Sequence, residues 1–123
     1  MQKSHSEEDA KLHARPLLPE DIGPEGVTQE YLDAHKNKLT FTVEQYAGQE
    51  EGDVILLMLG GPGASPAESQ KVTRATGDTK VPVAGAKLHR LSNGVHAASY
   101  LILKKNIPDG PSSYATLFRL LLV

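Results

Sequence analysis

Cysteine is absent from the chain. Its absence excludes disulfides and thiolate-held metals and implies no oxidising compartment. Tryptophan is missing too, and the aromatic set is four Tyr and two Phe. So few rings offer no stacking platform for single-stranded nucleic acid. No sign of charge dominates: 13 Lys/Arg stand against 15 Asp/Glu, a net of −2, which gives no electrostatic argument for a nucleic-acid partner. No apolar run is long enough to span a membrane. Residues 1–9 carry an acidic cluster, Glu7-Glu8-Asp9, where a secretory signal would be apolar. If Met1 is the natural start, synthesis is expected to finish in the cytoplasm. If the chain is a module of a larger surface protein, Met1 is not a natural start.

What is present is a set of short strands between turns. With 123 residues, one domain with a modest core is expected, plus an appendage. Val54-Ile55-Leu56-Leu57-Met58-Leu59 is apolar throughout and six residues long, bounded by Gly52-Asp53 and by Gly60-Gly61-Pro62-Gly63. Six residues is strand length, and a strand apolar on both sides needs cover on both faces. Leu39, Phe41 and Val43 alternate with Thr40 and Thr42, which predicts a half-buried strand over 39–44 with those three pointing inward. Further strands are expected over 69–76 (an edge), 79–84 (an edge, because of Pro82), 95–104 and 114–122. A helical turn or irregular crossover fits 86–91. Ser92-Asn93-Gly94 and Pro108-Asp109-Gly110-Pro111 are turn signals. Turns every 8–12 residues suit an all-β sandwich.

The chain changes character near residue 37. Residues 1–36 hold four Lys/Arg and eight Asp/Glu, a net of −4; the remainder holds nine and seven, a net of +2. The first part contains Pro16, Pro19 and Pro24 and little periodicity. It reads as an extended N-terminal arm over 1–36, with helical turns around 7–13 and 28–34, preceding a sandwich domain over 37–123. Alone in water such an arm is expected to be disordered. Its apolar residues Leu12, Leu17, Leu18 and Ile22 are candidate contacts, on the chain's own body or on a neighbouring subunit. The opposite charges of arm and body allow either; the neighbour is the working expectation for residues 1–25.

Leu39-x-Phe41-x-Val43, then Tyr46-x-Gly48-x-x-x-Gly52-Asp53, then Asn93-Gly94 ahead of Tyr100-x-Ile102, and a Gly110-x-Ser112 turn before the last strand form a pattern. It resembles the Ig-like β-sandwich modules repeated in bacterial surface proteins and found on phage virions. The resemblance covers roughly residues 26–123 and implies an antiparallel sandwich of about seven strands. That family often carries Trp where this chain has Leu59. The resemblance implies no catalytic residues, because such modules serve as spacers, adhesins or decorations.

The chemistry-bearing residues form no constellation. Residues 60–65 lack the Lys-Ser/Thr ending of a phosphate loop and the Gly-x-Ser-x-Gly spacing of a nucleophile elbow, and read as a loop at a sandwich end. His5, His13, His35, His89 and His96 show no His-x-His or His-x-x-x-His pair; His89 and His96 could meet across the Asn93-Gly94 turn. Glu50-Glu51, Asp53, Asp78 and Asp109 are explained by turn chemistry rather than by calcium. No enzyme activity, cofactor or metal is therefore expected. The remaining signal is apolar excess. On the last strand Phe118, Leu120 and Leu122 point one way, and Leu117, Leu121 and Val123 the other; Leu101, Ile102 and Leu103 are apolar on both faces. Two or three strands that do not alternate imply a second covered face. The expectation is a non-enzymatic structural protein bound in many copies to a protein lattice or neighbouring subunits, as a phage capsid decoration or accessory virion protein on a major capsid protein would be. Leu117 and Leu121 would make the contact. The rival is a module of a bacterial cell-surface adhesin.

Overall fold

The computed structural model describes residues 12–60 and 66–122. In chain order the elements are β1 (Val27–Thr28), α1 (Gln29–Ala34), β2 (Lys38–Val43), β3 (Val54–Leu59), β4 (Pro66–Lys71), β5 (Thr79–Ala84), α2 (Gly85–Leu88), β6 (Gly94–Lys104), β7 (Ile107–Pro108) and β8 (Thr116–Leu121). The fold is all-β, with eight strands in two sheets among the described residues. The larger sheet runs β1-β8-β6-β3-β4, with β7 added to the end of β6; the smaller is β2–β5.

Period two decides which face of each strand is buried. In β2, Leu39, Phe41 and Val43 are buried, and in β5 Val81 and Val83 meet them. In the large sheet Ile55 pairs with Ile102, Leu57 with Tyr100 and Leu59 with Ala98, all buried. Phe118 and Leu120 of β8 continue that inner layer. The two sheets meet across this core, where the Phe41 and Phe118 rings pack edge to face at 5.7 Å. Leu32 of α1, Leu88 of α2 and Val72 complete it.

The edge strand expected over 69–76 lies earlier, as β4. The Val72 N–H still donates to the Asp53 carbonyl at 2.8 Å in the same register, but the Asp53 N–H turns back to the Glu50 carbonyl at 3.1 Å, and the ladder ends there. The strand count exceeds seven because β1 and β7, two residues each, are too short to show a period.

The expected boundary at residue 36 does not separate two packing units. Val27 and Leu32 belong to the core, and β1 runs parallel to β8 with Val27 opposite Leu120. Gly26 permits this approach: it sits at φ +95°, and a Cβ there would lie 2.6 Å from the Arg119 carbonyl oxygen. Thr28 caps α1 by accepting the Tyr31 N–H at 3.0 Å. Upstream, Leu17 exchanges two backbone hydrogen bonds with Thr42, and the Tyr100 hydroxyl donates to the Ala14 carbonyl at 2.7 Å. The Thr116 hydroxyl donates to the Pro16 carbonyl. Residues 12–25 therefore lie on the chain's own body, which corrects the expectation that a neighbour must order them. Residues 1–11, and with them most of the expected helical turn at 7–13, lie outside the described residues.

Candidate functional site

The register across the large sheet builds one apolar outer face. Val54 stands opposite Leu103 and Leu56 opposite Leu101. Farther along β6, Ala97 stands opposite Leu117 and Val95 opposite Arg119 on β8. Alternation turns all of these away from the core. Leu117 keeps 67% of its surface exposed, Val95 59% and Leu121 42%; Val54, Leu56, Leu101 and Leu103 are half-buried. Arg119 is the one charged residue among these β6 and β8 outer positions from 95 to 103 and 117 to 121.

Of the candidate contact residues, only Leu117 and Leu121 lie on this face. Leu18 and Ile22 pack against the chain's own core. Leu12 is half-buried beside Tyr46 and Tyr100, and Leu17 sits at the β2 edge, bridged to Thr42. The four arm residues therefore do not join the outer face. Val95 is the face residue that sequence reasoning missed. Its signal was weak: it shares period two with Leu101 and Leu103, but Ala97 and Ser99 intervene.

Polar chemistry concentrates at two places. At the first, buried Asp53 accepts the Tyr46 hydroxyl at 2.6 Å, the Glu50 N–H at 3.0 Å and the Lys104 ammonium at 2.9 and 3.1 Å. Lys104 also donates to the Gly48 carbonyl at 2.7 Å and to Glu50 at 3.1 Å. Burial works against ionisation of Asp53, but the hydrogen bonds from Tyr46, Lys104 and Glu50 outweigh it and hold its carboxyl below the ordinary value. Burial, followed by the hydrogen bond to Asp53, pushes the Tyr46 phenol up. This network locks the Tyr46-to-Asp53 turn to β6.

At the second, His35 Nδ1–H donates to the Tyr31 carbonyl at 2.7 Å and Nε2–H donates to Asp21 at 2.8 Å. Both partners are acceptors only, so the imidazolium is the form that satisfies both. The backbone bond to Tyr31 and then the Asp21 carboxylate raise the His35 pKa. His35 in turn lowers that of Asp21, which also accepts the Tyr31 hydroxyl at 3.0 Å. Burial and Asp21 push the Tyr31 phenol up to about 12. The Tyr31 and His35 rings stack at 3.9 Å.

His89 and His96 do not meet: His89 donates to the Gln29 side chain at 2.8 Å and His96 to the Ser92 carbonyl at 2.7 Å. Among the described residues no group of three or more His, Asp or Glu is placed to hold a metal ion, and no helix is long and apolar enough to cross a membrane. Residues 61–65 of the glycine-rich loop, and Glu7–Asp9 and His5, lie outside the described residues. Compared with protein-family models and with curated proteins, the chain matches none.

Proposed function

We propose that the protein is a non-enzymatic structural protein that binds a multi-copy protein assembly through the outer face of its large sheet. An Ig-like sandwich decorating a phage capsid, or serving as an accessory virion protein, is the reading we favour. One observation carries it: Val95, Leu117 and Leu121 stay exposed on a face that continues through Leu101, Leu103, Leu56 and Val54. Contiguous apolar faces of this kind are rare on soluble monomers and mark interaction surfaces. A stable contact would cover about 800 Å² per partner. Left uncovered by its assembly, an apolar face of this kind is expected to pair with a second copy of the chain in solution, so self-association reports on it.

Sedimentation of the full chain at micromolar concentrations tests this. The wild type is expected to exceed its monomer mass of 13.2 kDa. Leu117→Asp and Leu121→Asp are expected to sediment as monomers with unchanged circular dichroism, because both side chains already face water. A wild type that stays monomeric, or aspartate variants that associate normally, would overturn the reading.

A further inference from the structure

The outer surface of the small sheet is of opposite character to the apolar face. A groove of about 520 Å³ runs along β2 and is lined by Lys36, Lys38, Thr40, Thr42 and Lys80, with Tyr31 among its other walls. The β2 alternation that buries Leu39, Phe41 and Val43 sends Lys38, Thr40 and Thr42 to this side, and Lys80 stands opposite Thr42. Lys36 precedes them at φ 59°, beyond the end of α1. Among the described residues none of the three lysines forms an ion pair with a carboxylate. The Lys80 ammonium instead donates to the neutral Thr42 hydroxyl at 2.8 Å. The carboxylate in the groove, Asp21, is already engaged by His35 and Tyr31.

Spacing decides which anion fits. Lys38 is level with Ala84 and Lys80 with Thr42, four residues apart along the ladder. At about 3.4 Å per residue that is roughly 13–14 Å. A single phosphate or carboxylate cannot reach both. An extended chain with carboxylates at i, i+2 and i+4 places its charges at that pitch on one side. A nucleic acid also carries spaced charges, but Tyr31 is stacked on His35 and packed against the core, which leaves no row of free rings on which successive bases could stack.

We infer that this groove binds an extended acidic peptide segment of a partner protein, with Lys36, Lys38 and Lys80 each facing one carboxylate. The inference stands apart from the apolar face and does not depend on it.

The test is a titration of the isotope-labelled full chain at low salt with a decapeptide of alternating Glu and Thr, followed through backbone amide shifts. A matching Gln-Thr peptide and a single-stranded oligonucleotide are run beside it. Shifts are expected at Lys38, Thr40, Thr42 and Lys80. The exposed lysines Lys38→Gln and Lys80→Gln together are expected to weaken binding roughly three- to tenfold, as two solvent-exposed ion pairs would. Lys105→Gln, outside the groove, is expected to leave it unchanged. Absence of binding, equal binding of the Gln-Thr peptide, shifts confined to other strands, or insensitivity to the paired variant would each overturn the inference. Tighter binding of the oligonucleotide at the same lysines would overturn the peptide assignment.

Discussion

Replacing Asp53 by alanine is expected to be the most damaging single polar change in the molecule. Asp53 is 4% exposed, and its two oxygens take a phenol, a turn amide and an ammonium. Truncation leaves those three donors facing a void. Orphaning one buried polar group costs about 1–3 kcal/mol, and breaking a buried ion pair about 3–5 kcal/mol. Lys104 moderates the upper figure. Its side chain is 26% exposed, and it keeps the Gly48 carbonyl and Glu50 as partners. The expected loss for Asp53→Ala is therefore about 2–4 kcal/mol, and for the isosteric Asp53→Asn about 1–2 kcal/mol, because one oxygen still accepts. Urea denaturation followed by circular dichroism measures both. A double-mutant cycle with Tyr46→Phe should give a coupling of about 0.5–3 kcal/mol, the range for residues in one network.

The pH dependence has a defined sign. The folded carboxyl titrates below the ordinary 3.8, so the contribution is complete above that value and is lost as pH falls through the folded value. The stability difference between wild type and Asp53→Asn should therefore shrink only in that acid window. A loss under about 0.5 kcal/mol for Asp53→Ala, the level of an ordinary surface change, would refute the reasoning.

Phe41→Ala should cost about 3–5 kcal/mol in a thermal or urea melt, because the ring is fully buried against Phe118; a loss below about 1 kcal/mol would remove Phe41 from the core. The His35 ring should titrate above its ordinary 6.5 in a proton-resolved NMR experiment, and Asp21→Asn should bring it down. The stability that the His35 clasp adds is then complete below pH 6.5 and lost as pH rises through the folded value. A ring titrating at or below 6.5 would show that the clasp does not form in solution.

The strands that carry the core were legible because their signal is local. Leu39-x-Phe41-x-Val43 alternates within one strand, and the residues between Gly52-Asp53 and Gly60 fill one strand length; β3 and β5 run over the stretches expected of them. Val27 and Leu32 were hidden because each is an isolated apolar residue in a polar, proline-bearing stretch. What makes Val27 core is its parallel pairing with Leu120, a contact across most of the chain that no local period encodes. The Asp53 network was half visible. Gly52-Asp53 announced a turn, but Lys104, which turns that aspartate into a buried ion pair, lies 51 residues away. The lysine groove was invisible for the same reason, since Lys80 reaches Lys36 and Lys38 only through the β2–β5 ladder.

The apolar face shows what the sequence could narrow without deciding. On β8 the sets Phe118, Leu120 and Leu122 and Leu117 and Leu121 are nearly equal in apolarity, so composition cannot say which faces water. Phe118 meeting Phe41 decides it, and through the antiparallel register with β6 it also fixes Val95, Ala97, Leu101 and Leu103 as outward. A slip of one residue in that register would turn Tyr100 and Ile102 out of the core and drive Leu101 and Leu103 in. Ile102 and Leu101 differ little in apolarity, but the Tyr100 hydroxyl needs the Ala14 carbonyl, and the Tyr100 N–H donates to the Ser113 hydroxyl oxygen at 3.0 Å. Those two polar contacts stabilise one register over its neighbour. The apolar outer face is thus held in place by the inward-pointing Tyr100 side chain and by a backbone hydrogen bond at the edge of the strand that carries it.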